Sequence, residues 1–221
     1  MSGENKQPMT SIDLFHGTCS LFLDEIFRDG LLPSRAHSDK WNHGWSARPD
    51  LVYLTQYWAA YYAFLAPARL PEEIAKQACA VILKISVDPE KSPLFPDEDF
   101  ICRTLRKPPT PELQKIAEEF DLSSPKGINP TDARWPEVGL TWEESLRVSG
   151  TVASRAIPKE SIIGIYEMRT EDDAKAFANE NGPLRPGPVE EMFYAKQFCE
   201  ALMSLPYRAY NAGASDVQGE Q

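Results

Sequence analysis

The stretch Leu14-Phe15-His16-Gly17-Thr18 is a short apolar run that ends on a histidine, a glycine and a hydroxyl residue. Leu14 and Phe15 predict a buried strand. His16, Gly17 and Thr18 would then stand at the end of that strand, just ahead of a helix. A turn is the simpler interpretation of one histidine beside one glycine. A ligand site is the alternative, because a segment that builds only a core gains little from these residue types.

The composition indicates a globular protein with one domain. The chain has 221 residues, of which 42% are hydrophobic and 25% are charged, and these fractions are ordinary for such proteins. The net charge is −10, from 23 basic and 33 acidic residues. Because binding to phosphate backbones usually needs a basic surface, this balance disfavours non-specific binding to nucleic acids.

The cysteines and the hydropathy pattern indicate the cellular compartment of the protein. The four cysteines lie far apart and form no CxxC pair. Residues 1–10 have no features of a signal peptide, and no apolar run approaches the roughly eighteen residues that a membrane span needs. We therefore expect a reduced, cytoplasmic protein without a membrane partner.

Apolar patterns and end signals divide the chain into strands, helices and loops. The predicted strands are Ser11–Phe15, Leu51–Thr55, Ala80–Val87, Leu140–Val152 and Ser161–Met168. The predicted helices are Leu21–Arg28, Gln56–Leu65, Pro111–Phe120, Glu171–Asn179 and Val189–Ser204. The predicted loops are Ser34–Asp50, Ser92–Ile101 and Asp121–Gly139. The result is one α+β domain over residues 11–211, helical from about residue 170, with a flexible N-terminus (1–10) and a disordered tail (212–221).

Glu144 is the acidic residue that the strand pattern singles out. In a strand over residues 140–152, Glu144 would share a face with Trp142 and Leu146, whereas Glu143 would lie on the polar side. Burying an ionised carboxylate is costly unless it has a partner. Glu144 would therefore line a cleft or hold a hydrogen-bond network, and a solvent-facing acid at a frayed strand end is the alternative.

Two other segments carry residue types that are common in binding sites. The loop over residues 34–50 contains His37, Asp39 and His43, but these lack a recognised metal-ligand spacing and a fourth partner, so we expect no metal. The helix over residues 56–65 is rich in aromatic residues, which indicates either a core stripe or the mouth of a ligand cleft.

Together these motifs resemble the ADP-ribosyltransferase superfamily, which includes poly-ADP-ribose polymerases, DNA-modifying toxins and RNA 2′-phosphotransferases. The resemblance covers most of residues 12–168. It rests on His16-Gly17-Thr18 at a first strand, a helix that ends in Gly30-Leu31-Leu32-Pro33, the run Val52-Tyr53-Leu54-Thr55, and an acid before a later strand. The region from Glu144 to Val152, followed by Ile157-Pro158, is also similar to the third motif of bacterial members. The resemblance implies split antiparallel β-sheets with flanking helices around an NAD cleft.

The resemblance also implies roles for individual residues. His16, followed by Gly17 and Thr18, would contact the adenine-side ribose of NAD, and the Gly17 backbone would meet the nicotinamide amide. Tyr53 would lie against the nicotinamide ring, and Glu144 would bind a hydroxyl of the nicotinamide-side ribose. Tyr61 or Tyr62 would stack on the ring from the helix that follows.

The function implied is transfer of ADP-ribose from NAD to an unidentified protein or nucleic acid, with release of nicotinamide and without a metal. His16, Tyr53 and Glu144 would be the catalytic residues. Arginine is disfavoured as the acceptor, because no acid stands two residues before Glu144. One alternative is a non-catalytic member that binds a nucleotide or a partner in the same cleft. Another is an RNA 2′-phosphotransferase, which the acidic net charge disfavours.

Overall fold

Seven antiparallel strands form one open sheet in the computed structural model, which describes residues 11–33, 48–68, 70–168 and 207–210. The strands are β1 (Ile12–Cys19), β2 (Val52–Thr55), β3 (Ala80–Val87), β4 (Leu94–Pro96), β5 (Thr151–Ser154), β6 (Ile162–Met168) and β7 (Tyr207–Ala209). Their order in the sheet is β4-β5-β2-β1-β3-β6-β7. Every neighbouring pair is antiparallel.

Helices pack around this sheet, so the α+β class is confirmed. They are α1 (Leu23–Asp29), α2 (Ala59–Ala68), α3 (Glu72–Ala75), α4 (Glu98–Arg106), α5 (Pro111–Ala117), α6 (Arg134–Glu137) and α7 (Trp142–Ser149). The described strands form one sheet rather than the two that the resemblance implied. The nearest feature to a split is between β1 and β2, which share a single register pair, Phe15 opposite Thr55.

The two faces of the sheet are covered differently. In an antiparallel pair, residues directly opposite each other lie on the same face. His16 stands opposite Leu83 on the side of the main hydrophobic core, which we call the core face. Gly17 stands opposite Ile82 on the other side, which is covered by α2 and which we call the α2 face.

Gly17 is the point at which α2 approaches the sheet most closely. A Cβ atom at Gly17 would lie 2.1 Å from the carbonyl oxygen of Ala59 and 2.4 Å from the backbone nitrogen of Ala63. Both atoms belong to the helix backbone and cannot rotate away. The missing side chain of Gly17 therefore permits helix packing, and the contact of its backbone with nicotinamide stays a prediction.

The predicted strands and helices agree with the structure in much of the chain. The predicted strand over residues 80–87 matches β3 and is central as expected, between β1 and β6. The predicted strands over 51–55 and 161–168 match β2 and β6 closely. Thr110 caps α5 by accepting a hydrogen bond from the Leu113 N–H over 3.2 Å.

Two boundaries differ near the opening motif. β1 continues to Cys19, so His16, Gly17 and Thr18 lie inside the strand and not at its end. The segment that follows first forms a short 3₁₀ turn, Ser20–Phe22, before α1 begins. Helix α2 begins three residues later than predicted, because the Thr55 hydroxyl accepts hydrogen bonds from the N–H groups of Tyr57 and Trp58.

The predicted strand over Leu140–Val152 is wrong, because this segment forms α7 and only then the short strand β5. The Thr141 hydroxyl caps the helix by accepting a hydrogen bond from the Glu144 N–H over 3.3 Å. Gly150 ends it with a left-handed φ of 70°, a conformation that favours glycine. Leu146 packs in the main core from this helix and not from a strand.

The predicted loop over Ser92–Ile101 is also wrong, since it contains β4 and the start of α4. Asp97 caps α4 by accepting a hydrogen bond from the Asp99 N–H over 3.2 Å. The strand β7 was not predicted. The predicted helices over 171–179 and 189–204, the tail, residues 1–10, and residues 34–47 of the predicted loop lie outside the described residues.

Candidate functional site

His16 lies where β1 and β2 separate, and its side chain bridges the two strands. Its Nδ1 donates a hydrogen bond to the carbonyl oxygen of Tyr53 over 2.9 Å. Burial lowers the pKa of His16, so the ring is neutral near pH 7. With the proton on Nδ1, Nε2 is a hydrogen-bond acceptor. Among the described residues, none donates to this Nε2.

Tyr53 connects β2 to the first turn of α4. Its hydroxyl donates to Oε1 of Glu98 over 2.6 Å and accepts from the Arg48 N–H over 3.0 Å. Burial, followed by the negative charge of Glu98, raises the pKa of Tyr53 well above its ordinary value. The phenol therefore stays protonated and acts as a fixed donor to Glu98.

Glu98 is a carboxylate that sequence reasoning missed. It is the first residue of α4, and only 4% of its surface is exposed. Its Oε1 is held by Tyr53, while Oε2 is buried without a hydrogen-bond partner. Burial is the main cause that raises the pKa of Glu98 to about 7. The neighbouring Asp97 is also buried, and its pKa is raised for the same reason.

Ser145 fixes the backbone that carries this carboxylate. Its hydroxyl accepts a hydrogen bond from the Asp97 N–H over 3.0 Å and donates to the carbonyl oxygen of Thr151 over 2.7 Å. Ser145 is fully buried, so both contacts are shielded from water. Helix α7 thus ties the start of α4 to β5, next to β2.

The strand register places the side chains of Tyr53, Ala153 and Phe95 on one face of the sheet. Tyr53 stands opposite Ala153 on β5, and Ala153 stands opposite Phe95 on β4. The Arg155 guanidinium lies 6.0 Å from the centre of the Phe95 ring. A depression of about 290 Å³ opens beside Phe95 and Arg155, and neither Tyr53 nor Glu98 lines it. Its lining residues are Lys91, Ser92, Pro93, Phe95, Ser154, Arg155 and Ala156.

Glu144 is not directed inward as the predicted strand required. It lies in the first turn of α7, and 37% of its side chain is exposed. Arg147 forms a bidentate ion pair with it, with 2.7 Å between Nε and Oε2, and this pairing lowers the pKa of Glu144. No described contact joins Glu144 to His16 or Tyr53.

The other predicted site residues are placed around β1 and α2. Thr18 is buried, with 5% of its surface exposed. Tyr62 is half-buried on α2, and its Cβ lies close to Gly17. The side chain of Tyr61 lies outside the described part of the chain. Of the predicted set, the structure brings together the His16 ring and the Tyr53 backbone, whereas the Tyr53 side chain lies on the opposite face of the sheet from His16.

A signal for Glu98 was present in the sequence. Three consecutive acids, Asp97-Glu98-Asp99, directly follow the apolar run Leu94-Phe95-Pro96 and precede Phe100-Ile101. An acid at a helix start is typical of an N-cap and first turn. The pattern predicts a helix beginning here, although it does not predict that the second acid is buried against a tyrosine.

Comparison with known proteins adds no family. No protein-family model matches the chain, and no curated protein matches it. Over the part of the chain that the structure describes, no helix is both long and apolar enough to cross a membrane. In the same part, His, Cys, Asp and Glu side chains form no group of three or more that could hold a metal ion.

Proposed function

We propose that this protein transfers ADP-ribose from NAD to an acceptor and releases nicotinamide. The observation that carries the proposal is the hydrogen bond from His16 to the backbone of Tyr53, at the point where β1 and β2 separate. These residues occupy the His and Tyr positions of the superfamily that the sequence resembles. The strand order and the single β1–β2 pair support an ADP-ribosyltransferase-like fold.

The chemistry of His16 and Arg155 fits a sugar nucleotide. Nε2 of the neutral His16 is a hydrogen-bond acceptor without a donor among the described residues. Ribose hydroxyl groups are neutral donors, and they can satisfy such an acceptor without introducing a charge. Arg155 beside the depression near Phe95 supplies a cation of the kind that binds phosphate oxygens.

The residues of the chain would act by orienting the sugar and stabilising positive charge. NAD supplies a carbon–nitrogen bond between ribose and nicotinamide, which breaks with its electron pair leaving on nicotinamide while the acceptor bonds the sugar and releases a proton. A fixed carboxylate near the sugar stabilises the positive charge that develops there.

The proposal is tested by incubating the protein with NAD that carries a label in its adenylate part, together with separate pools of protein, DNA and RNA. We expect free nicotinamide to appear and one pool to become labelled. The matched controls are protein-free samples and Glu112→Gln, which removes an exposed carboxylate from the first turn of α5. Absence of both nicotinamide release and labelling in all pools would contradict transfer.

A second candidate is a protein that binds a nucleotide without cleaving it. The observation in its favour is that β5, Thr151–Ser154, carries no acidic residue, while Glu144 is paired with Arg147. Measuring NAD affinity and nicotinamide release separately distinguishes the two candidates. Binding without release would favour the second.

A further inference from the structure

The Arg155 guanidinium forms no hydrogen bond or ion pair with any of the described residues. Most other arginines in that part of the chain donate to a carboxylate or to a backbone carbonyl; they are Arg28, Arg48, Arg106, Arg134, Arg147 and Arg208. Arg155 instead lies 6.0 Å from the centre of the Phe95 ring and lines the depression of about 290 Å³. A guanidinium carries five N–H donors in a planar fork. These donors are therefore available to an acceptor that enters the depression.

The lining of the depression is basic, although the net charge of the protein is −10. Lys91 and Arg155 are the charged residues of this lining, which contains no described acid. A hydrogen bond from Arg48 lowers the pKa of Asp50, and the charge of Arg155 lowers it further, but Asp50 is already paired with Arg48 over 3.0 Å. Lys91 pairs with Asp88 over 3.0 Å while 82% of its side chain is exposed, and such surface pairs contribute little to stability. An anion in the depression would therefore meet two cations and no lining carboxylate.

Ser154 joins the two walls of the depression. Its hydroxyl lies 3.1 Å from the carbonyl oxygen of Pro93 and 3.2 Å from that of Ala156, and it donates to these acceptors. Pro93 precedes β4 and Ala156 follows β5, so one buried hydroxyl links both segments. A site whose walls are already fixed loses less conformational freedom when a ligand binds.

The residues around β4 favour a small ligand over an extended peptide. β4 is an edge strand, and edge strands can in general accept a further strand. Pro93 and Pro96 have no N–H group, so neither can donate a hydrogen bond to an added strand. The volume of about 290 Å³ is close to the lower limit of small-molecule sites, which is about 300 Å³.

We propose that the depression is a binding site for the phosphate monoester of a small molecule, in which Arg155 binds two phosphate oxygens and Lys91 supplies the second positive charge. A phosphate monoester carries about −1.5 to −2 charges at pH 7, which two cations match. The planar fork of a guanidinium matches two oxygens of one phosphate. Each phosphate of NAD carries a single charge, so NAD occupies this site more weakly. The inference does not depend on transfer of ADP-ribose, because the site holds a phosphate whether or not NAD is cleaved.

The inference is tested by calorimetric titration of inorganic phosphate, ribose 5-phosphate and ribose into the wild-type protein and into Arg155→Gln. These probes contain no adenine or nicotinamide, and ribose shows what remains when the phosphate is removed. We expect ribose 5-phosphate to bind the wild type and to bind Arg155→Gln about tenfold to a hundredfold more weakly, as for loss of a hydrogen bond to a charged group. Because Arg155 is exposed, the substitution should leave the fold intact.

Arg28→Gln is the matched control, because it removes the same charge from an exposed arginine of α1 that does not line the depression. Its affinity for ribose 5-phosphate should equal that of the wild type. Equal losses in Arg28→Gln and Arg155→Gln would show a general effect of net charge and overturn the inference. It would also be overturned if ribose bound as tightly as ribose 5-phosphate, or if the wild type bound neither phosphate probe at millimolar concentration.

Titration of ribose 5-phosphate in the presence of NAD identifies the source of the phosphate. Competition that requires more NAD than ribose 5-phosphate shows that the diphosphate of NAD reaches the depression and that the monoester is preferred, as proposed. Unchanged affinity shows that the depression serves a phosphate ligand other than NAD. Competition at lower NAD than ribose 5-phosphate concentrations would contradict the preference for a monoester. Nicotinamide release is measured separately, so failure of ADP-ribose transfer is distinguished from failure of the phosphate site.

Discussion

The hydroxyl of Tyr53 lies 2.6 Å from Oε1 of Glu98, which joins residues 45 positions apart in the sequence. Tyr53 lies on β2, inside the sheet. Glu98 is the first residue of α4, which follows the edge strand β4 along the chain. The contact packs an acidic segment against the Tyr53 side chain, while His16 on β1 reaches only the Tyr53 backbone, from the opposite face of the sheet. Tyr53 is therefore common to both hydrogen bonds that define the site.

The contribution of Glu98 to the free energy of unfolding should fall as the pH rises from about 4.5 to about 7. The pKa of Glu98 is raised from 4.5 to about 7, so the folded protein binds this proton more tightly than the unfolded chain does. At one pKa unit per 1.36 kcal/mol, Glu98 contributes a decrease of about 3 kcal/mol. Tyr53 and Arg48 lower the pKa of Glu98, and the negative charge of Asp99 raises it.

Denaturant unfolding across pH 4.5 to 8 tests this dependence. In Glu98→Gln the decrease should shrink by most of that amount, while the part due to Asp97 remains because its pKa is raised in the same direction. An unchanged slope in the variant would show that Glu98 is not buried as described.

Gly17→Ala should destabilise the protein strongly. The new methyl group would meet the backbone of α2 at 2.1 Å and 2.4 Å, so the helix would have to move away from β1. We expect a loss of at least about 2 kcal/mol in the free energy of unfolding. Gly127→Ala is the matched control, because a Cβ atom there meets nothing within 4 Å. Equal stability of the two variants would refute the close packing of α2.

Ser145→Ala should weaken both the fold and the site. It leaves the Asp97 N–H unpaired and removes a donor to Thr151, which costs about 1–3 kcal/mol for buried groups. Because Asp97 precedes Glu98, NAD affinity should also fall in variant protein that is still folded at low temperature. The exposed Ser123→Ala is the control. Reduced stability with unchanged NAD affinity would show that Ser145 stabilises the fold without positioning the NAD site.

His16 should remain neutral, with its proton on Nδ1, well below the pH at which an ordinary histidine titrates. Burial lowers its pKa, and the Tyr53 carbonyl fixes the tautomer. Nitrogen-15 NMR of the imidazole rings measures both properties, and the signals are assigned by their loss in His16→Gln. A ring that titrates near pH 6.5 would contradict the buried hydrogen bond.

The parts of the fold that rest on local patterns could be predicted from the sequence. The continuous apolar start of β3 identified a central strand, and Thr110 identified the start of α5. The segment from Thr141 to Gly150 shows how such reasoning fails. Thr141 and Glu144 are spaced as a capping box, and Trp142, Ser145, Leu146 and Ser149 follow helical spacing. The predicted strand rested on alternation of apolar and polar side chains and not on this helical spacing.

The candidate site could be predicted only in part. His16 and Tyr53 were identified from motifs on neighbouring strands, and the structure joins them. Glu98 was missed, since three acids in a row are usually solvated and only the fold places the second one against Tyr53. The packing role of Gly17 could not be predicted, because the sequence does not give the position of α2.

The most direct test of the central claim is release of nicotinamide from NAD by the wild-type protein, measured beside the titration of NAD into the same sample. We predict saturable NAD binding and nicotinamide release that depends on protein concentration. NAD binding without nicotinamide release would indicate a protein that binds the nucleotide and is not a transferase. No binding of NAD at millimolar concentration would contradict the account.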